Sequence, residues 1–293
     1  MLSTDGEQTT ALGLLLLITA TVVTSCFGLI LKSAHHNGHN ALAVGSLNYG
    51  AGAVISGLLM LADPGWAWHW TTVWIGAVSG FFYFVAFRFL IQALLQGGVA
   101  VTLAIVRLSV LIPILCSIVI WYEVPNLAQI AGIITVCIAL PLLTLGVGRQ
   151  AELSLRGVAW LVGALFITTG FCHLSPKVFS ELAPQSQMPL YLFSLFAVSG
   201  IMGFFYFWTK PIRARMPELR WSVLLGAVNV SGTWLLVLTL KYLPGTVVFP
   251  FVSAVGLVIT TLVAILYWKE QVRGLAYVGI GLTLVAVVLV NSG

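Results

Sequence analysis

The sequence predicts an all-α integral membrane protein with ten transmembrane helices in two inverted five-helix repeats. Three observations lead to this fold class. The composition is that of a chain solvated by lipid, the apolar residues fall into ten runs of membrane-spanning length, and several short motifs recur in the same order in both halves.

The composition excludes a soluble globule. Of the 293 residues, 60% are hydrophobic and only 7% are charged, whereas a soluble domain needs about 25% charged residues to keep its surface wet. Lipid must therefore solvate most of this surface. The 29 glycines and 10 tryptophans fit that environment, because glycine allows close helix packing and tryptophan favours membrane interfaces.

Neither the net charge nor the cysteines indicate a further class of ligand. The charge of +5 is spread along short loops without a basic stripe, so no nucleic-acid binding is expected. The cysteines at positions 26, 116, 137 and 172 all fall inside apolar runs. They predict small packing residues rather than disulfides or a metal site. No cofactor is expected.

Ten apolar runs have the length of about 20 residues that a bilayer crossing requires. They cover residues 11–33, 41–62, 72–95, 98–120, 126–146, 157–176, 189–209, 221–242, 245–267 and 273–291. The start of the chain lacks the basic region of a cleaved signal, so the first run is expected to remain as a helix.

Short motifs recur in two halves, residues 1–148 and 149–293. Trp121-Tyr122-Glu123 and Trp268-Lys269-Glu270 each end an apolar run, and a glycine follows each at the same spacing. The further matching pairs are Gly132 with Gly279, Gly98 with Gly245, Gly76 with Gly226, and Lys32 with Lys177. Because each half has an odd number of runs, the second half must be inverted relative to the first.

On the ten runs, the two halves and the glutamates Glu123 and Glu270, the sequence resembles the EamA-type transporters of the drug/metabolite transporter superfamily. The resemblance covers essentially the whole chain and is more specific for fold than for substrate. It implies a central cavity lined mainly by the first, third and fourth helices of each half. It also implies export or exchange of amino acids, other metabolites or drugs, and some relatives exchange phosphorylated sugars.

An inverted repeat favours a secondary transporter, because exchanging the conformations of its halves opens one site to alternate sides. The expected function is export or exchange of a small organic metabolite that carries a carboxylate or phosphate. The alternatives are a flippase of a lipid-linked phosphate-bearing molecule and a broad-specificity drug or metabolite exporter. An enzyme is not expected, since the sequence has no GxSxG motif, HExxH motif or carboxylate pair.

The partners expected are the substrate, a polar organic anion or zwitterion, and the lipid bilayer of the cell membrane. The chain is expected to be a monomer or homodimer. Basic residues favour the side opposite the termini by nine to two. The positive-inside rule then predicts that both termini lie outside the cytoplasm.

Two arginines, Arg88 and Arg107, fall inside apolar runs, where an unpaired charge costs several kcal/mol. They lie eight residues before Gln96 and nine residues after Gly98. The rise of about 1.5 Å per residue then puts both about 12–14 Å from the same membrane face. No acidic residue is placed in the middle of a run, so the hypothesis is that both guanidiniums bind an anionic group of the substrate.

Gln92 extends the hypothetical anion site, because it lies one helical turn after Arg88 on the same face. The alternative is that each arginine snorkels or bonds to backbone carbonyls. Pro113 favours this alternative for Arg107, because proline leaves the carbonyl of Ser109 without its helical donor. Pro113 and Pro250 also predict a bend in the fourth helix of each half.

Other polar side chains inside the runs complete the candidate binding site, since polar atoms in hydrocarbon need partners. They are Tyr83, Asn48, Tyr49, Asn229, Trp234, Ser25 and His173. The alternative is interhelical packing for the aromatic residues and a bond to the preceding helical turn for Ser25. His173 is a candidate for proton linkage. Without a carboxylate in mid-membrane, however, exchange or facilitated flux is expected rather than proton coupling.

A histidine cluster, His35, His36 and His39, lies in the predicted first loop. No acidic residue or cysteine completes it, so no metal site is expected.

Overall fold

The computed structural model describes residues 2–97, 99–146, 155–209, 215–269 and 274–291, and these contain helices and no strand. The helices are α1 Leu2–His36, α2 Ala41–Ala62, α3 Trp70–Gly97, α4 Val99–Leu108, α5 Leu111–Val119, α6 Leu127–Gly146, α7 Leu155–Leu182, α8 Met188–Trp208, α9 Met216–Tyr242, α10 Gly245–Leu266 and α11 Gly274–Val290. A short 3-10 turn, Gln185–Gln187, precedes α8.

Eight helical segments in the described part are long and apolar enough to cross a membrane. Two further apolar helices, Leu127–Leu143 and Gly274–Val290, are shorter. The prediction of an all-α, multi-pass membrane chain is thereby confirmed. The predicted boundary between the halves, at 148 and 149, lies outside the described residues.

The fourth predicted run is not one helix, because the chain turns at Ser109 and Val110 between α4 and α5. Proline has no N–H, so Pro113 cannot donate to the Ser109 carbonyl. The N–H of Ile112 donates to that carbonyl instead, over 3.1 Å. The expectation that this acceptor would be left for Arg107 was therefore wrong. Pro250, in the fourth run of the second half, lies inside the single helix α10.

Two helices extend beyond their predicted ends. α1 reaches His36, so His35 and His36 lie in its last turn rather than in a loop. α7 continues past Pro176 to Leu182, which places Lys177 within the helix. The added residues are polar and lie outside the apolar runs, so the lengths of those runs could not predict that the helices continue.

The two Trp-x-Glu motifs begin with the same backbone turn. Tyr122 and Lys269, the central residues, are the two described non-glycine residues with positive φ, at 54° and 53°. This left-handed conformation costs about 1–2 kcal/mol for a residue with a Cβ, so its recurrence after α5 and after α10 is a specific feature. Glu270, which follows Lys269, lies outside the described residues.

Close glycine contacts join α6 and α11. A Cβ on Gly132 would lie 2.9 Å from the Val290 backbone nitrogen, and a Cβ on Gly279 would lie 2.7 Å from that of Leu143. Glycine is needed at both points because backbone cannot give way to an added methyl group.

The interior of the bundle is formed where α2, α3, α7, α8 and α9 meet. Its largest fully buried side chains include three aromatic residues, Tyr191, Phe179 and Phe196. The rings of Phe179 and Tyr191 stack at 4.4 Å between centroids. A second apolar cluster, around Ile114, Leu140 and Phe249, fills the contact among α5, α6 and α10.

Candidate functional site

Three tyrosines from three helices meet inside the bundle. Tyr49 of α2 and Tyr191 of α8 belong to one buried core, and Tyr83 of α3 packs against it. Cys172 of α7 is close enough to interact electrostatically with all three tyrosines. We call these four residues the tyrosine cluster. The sequence identified Tyr49 and Tyr83 as candidates, but it gave no reason to select Tyr191 from its apolar run, and it assigned Cys172 to packing only.

Hydroxyl groups on neighbouring helices lie next to two tyrosines of the cluster. The Tyr191 hydroxyl is hydrogen-bonded to Ser175 of α7, and the Tyr83 hydroxyl lies beside Thr233 of α9. The Thr233 hydroxyl itself donates to the carbonyl of Asn229 over 2.9 Å. The cluster therefore combines aromatic faces with hydroxyl groups that can both donate and accept.

A direct hydrogen bond connects two predicted site residues, Asn48 of α2 and Asn229 of α9. The Asn229 Nδ2 donates to Asn48 Oδ1 over 3.0 Å. The Asn48 Nδ2 donates to the carbonyl of Gly45 in its own helix. The two amides are thus partners of each other in the interior, and their binding of substrate stays a prediction.

Tyr83 and Cys172 keep part of their surface accessible, although their neighbours come from α2, α8 and α9. Trp234 of α9 is also half-buried and packs against the same aromatic core. These partly accessible side chains come from helices on both sides of the predicted boundary between the halves.

Arg107 ends α4 and lies next to His173 of α7. It makes no ion pair or hydrogen bond with another described residue. His173 follows Cys172 in α7, but adjacent side chains on a helix do not face each other, so the described contacts of Arg107 reach His173 and not the tyrosine cluster. A half-buried guanidinium without an internal acceptor is suited to bind an anion.

Arg88 has a different neighbour. Its guanidinium stacks over the ring of Tyr206 in α8, 3.9 Å from the centroid, and Phe84 packs against the same ring. Gln92, one turn later, is half-buried and hydrogen-bonds to no described residue. The prediction that both arginines share one anion site finds no support in these contacts, because Arg88 faces α8 and Arg107 faces α7.

Two further candidates have structural contacts. The Ser25 hydroxyl donates to the Thr21 carbonyl of its own helix over 2.6 Å and lies 3.4 Å from the Gly256 carbonyl of α10. Tyr49 packs edge-on against Phe87, with 6.0 Å between centroids. Ser25 thus follows the alternative interpretation, in which the hydroxyl bonds to the preceding turn.

A buried ion pair connects elements from both halves of the sequence. Lys177 Nζ of α7 lies 2.6 Å from Glu123 Oε1, in the loop after α5, and 2.5 Å from Glu181 Oε1 of its own helix. The backbone N–H of Thr246, at the start of α10, donates to Glu123 Oε2 over 2.9 Å. Lys177 Nζ also lies over the Trp121 ring, at 5.5 Å.

Electrostatics favours the charged form of Glu123. Burial raises the pKa of this carboxyl, but hydrogen bonds from Lys177, Thr246 and Gly245 outweigh burial and hold the pKa below its usual range. The carboxylate stands at the N-terminus of α10, where the helix dipole stabilises negative charge.

A related contact involves Lys32 at the end of α1. Its Nζ lies over the ring of Trp268, 4.6 Å from the centroid. Lys32 and Lys177 are one of the pairs that the sequence predicts to match, and Trp121 and Trp268 begin the two matching motifs. The sequence revealed both motifs, but it gave no indication that each lysine would meet the tryptophan of the other half.

The histidine segment after α1 borders a surface cleft of about 480 Å³, lined by His35, Gly38, His39, Asn40, Ala41 and Leu42. His39 Nδ1 lies 3.6 Å from Glu218 Oε1 of α9. Within the described ranges, no group of three or more His, Cys, Asp or Glu side chains is arranged to hold a metal ion. The cleft lies at the end of α1, apart from the tyrosine cluster in mid-bundle.

Comparison with known proteins supports the fold. No protein-family model matches the chain. A solved crystal structure has a TM-score of 0.72 and 17% sequence identity over 96% of this chain and 98% of the other. An uncharacterized protein of Haemophilus influenzae is 25% identical over 195 residues, 65% of this chain and 66% of that protein.

A shorter match concerns a drug-resistance protein. The quaternary ammonium compound-resistance protein QacG of a Staphylococcus species is 36% identical over 58 residues. The matched stretch is 20% of this chain and 54% of QacG.

Proposed function

We propose that the chain is a secondary transporter of the drug/metabolite transporter superfamily, with ten spans in two inverted repeats, residues 1–148 and 149–293. It lies in the cell membrane and moves a small organic molecule by alternating access. The observation that carries the proposal is the meeting of polar and aromatic side chains from both halves in the interior of an apolar helical bundle. Polar groups in a membrane are costly unless they are hydrogen-bonded, and a charged residue such as Arg107 at that depth is a candidate for function.

Reciprocal contacts support the repeat. Gly132 approaches Val290, and Gly279 approaches Leu143. Gly279 lies 147 residues after Gly132, and Val290 lies 147 residues after Leu143. An exchange of the two halves turns one contact into the other, as a pseudo-two-fold axis requires. The left-handed turns at Tyr122 and Lys269, also 147 residues apart, give further support to the repeat.

The central site is proposed to lie between the tyrosine cluster and Arg107. The tyrosine faces and hydroxyls suit the body of an organic molecule, and Arg107 with neighbouring His173 suits its carboxylate or phosphate. Because Arg88 stacks on Tyr206, we assign it a structural role at the α3–α8 contact.

A broad-specificity drug exporter is the second candidate, and the similarity to QacG favours it. A cationic drug would be repelled by Arg107, which lacks a described carboxylate partner. The charge of the transported molecule therefore distinguishes the two proposals.

The test is counterflow in proteoliposomes loaded with unlabelled organic acids, amino acids, sugar phosphates or quaternary ammonium compounds. We expect labelled anions to accumulate against their loaded counterpart, without an imposed pH gradient. Uptake confined to quaternary ammonium compounds would favour the drug exporter. Accumulation that depends on a pH gradient would contradict the exchange mechanism.

A further inference from the structure

The buried ion pair connects the two proposed halves at one end of the bundle. Glu123 comes from the first half, whereas Lys177 and Thr246 come from the second. The Glu123 side chain is 13% exposed and the Lys177 side chain 4%. Desolvated charges of this kind hold elements together, because separation leaves each charge without its partner.

A corresponding contact closes the other end. Lys32 from the first half lies over Trp268 from the second, as Lys177 from the second half lies over Trp121 from the first. In the ten-span topology, Glu123 and Lys177 lie on the membrane face that holds both termini. Lys32 and Trp268 lie on the opposite face.

We infer that these two contacts are the gates of the transporter. Breaking the Glu123–Lys177 contact opens the face that holds the termini, and breaking the Lys32–Trp268 contact opens the opposite face. Both contacts are formed in this structure, which corresponds to an occluded state. This inference rests on the proposed transport function.

Glu181 makes the first gate reversible. Lys177 contacts Glu123 across the halves and Glu181 within its own helix. When the halves separate, Lys177 keeps Glu181 as its counterion, and entering water hydrates Glu123. Without this second carboxylate, Lys177 would lose its counterion on opening, and only the entering water would stabilise its charge.

The two carboxylates therefore have opposite effects on opening. Glu123→Gln removes the contact between the halves and favours the open face. Glu181→Gln removes the counterion that Lys177 keeps on opening, and it leaves the closed contact in place. Both changes remove one negative charge from the same lysine, so Glu181→Gln is the matched control.

Cys172 in the tyrosine cluster provides an internal probe. A variant in which alanine replaces the other cysteines, at positions 26, 116 and 137, retains Cys172 as the single thiol. A membrane-impermeant maleimide is applied to right-side-out and inside-out vesicles, and the labelling rate is measured from each face. No substrate is needed, so the result does not depend on whether counterflow identifies one.

We expect Glu123→Gln to raise labelling from the face that holds the termini by about tenfold, which corresponds to a bias of about 1.4 kcal/mol toward the open state. Glu181→Gln should leave that rate unchanged or lower it. Trp268→Leu should raise labelling from the opposite face only.

A second variant covers the case in which Glu123→Gln does not fold. Thr246→Pro removes an N–H that binds Glu123, at a helix position where proline is tolerated, and it should raise labelling from the same face. An equal rise from both faces would indicate general loosening and overturn the inference. A rise in Glu181→Gln as large as in Glu123→Gln would overturn it too.

Discussion

The hydrogen bond between Asn48 and Asn229 gives a quantitative test of how α2 meets α9. Asn48 is 1% exposed, so water cannot replace a lost partner. Asn229→Ala removes the donor to Asn48 Oδ1, and we expect it to destabilise the protein by about 1–2 kcal/mol. Asn48→Ala should cost at least as much, because it also removes the bond to the Gly45 carbonyl.

A double-mutant cycle isolates the bond itself. The two single variants and the double variant are unfolded in detergent, and the coupling free energy is obtained from the departure from additivity. In double-mutant cycles, side-chain hydrogen bonds between membrane helices average about 0.6 kcal/mol and reach about 1.7 kcal/mol. Because Asn48 is fully buried, we expect a coupling between these two values. Ser231→Ala is the control, since this exposed hydroxyl donates only within its own helix.

Additive effects would refute the reasoning. Independent sites add to within about 0.3–0.5 kcal/mol, so a smaller coupling would mean that the two amides do not interact. If Ser231→Ala reduced the free energy of unfolding as much as Asn229→Ala, removal of any polar side chain from α9 would be destabilising, and the effect could not be assigned to the bond with Asn48.

Three further predictions concern packing, charge and pH. Arg88→Gln should lower the melting temperature, because losing the stacking on Tyr206 reduces the free energy of unfolding by about 1–2 kcal/mol. Substrate affinity in a binding assay should stay unchanged. Gly279→Ala should destabilise the α6–α11 contact, whereas Gly281→Ala on the same helix, with open space around it, should be neutral or stabilising by up to about 1 kcal/mol; thermal unfolding measures both. In the folded protein the pKa of Glu123 lies below its usual range. Its ionised carboxylate therefore adds to the free energy of unfolding at pH values above the pKa of the unfolded state, and this stabilisation is lost as the pH falls through the pKa of the folded state. Melting temperatures recorded between neutral and acid pH should therefore fall less in Glu123→Gln than in the wild type.

The sequence predicts the helices well, because a helix that crosses a lipid bilayer needs an apolar run of about 20 residues, and such runs can be seen in the sequence. Nine of the ten predicted runs correspond to one helix each. The exception, at Ser109 and Val110, follows from a proline whose effect depends on local hydrogen bonding. Pro250 lies in the fourth run of the second half, 137 residues after Pro113 and so not at the position that the 147-residue repeat spacing gives. It does not break α10, so a proline in the fourth run does not by itself divide the helix.

The site was only partly predictable, since its members are selected by tertiary contacts. Asn48 and Asn229 were recognised because amides in hydrocarbon need partners. Tyr191 was missed because one tyrosine in an apolar run is typical of ordinary packing. The stacking of Arg88 depends on which helix lies beside α3, and periodicity within one helix carries no such information.

Binding of an organic anion beside Arg107 is measured by thermal shift on purified protein. Organic acids, amino acids, sugar phosphates and quaternary ammonium compounds are screened against the wild type, Arg107→Gln and the control Arg88→Gln. We expect stabilisation by anionic compounds in the wild type and in Arg88→Gln, with affinity reduced about 10- to 100-fold in Arg107→Gln by the loss of a charge-assisted hydrogen bond. Stabilisation by cations alone, or anion binding that persists unchanged in Arg107→Gln, would contradict the account.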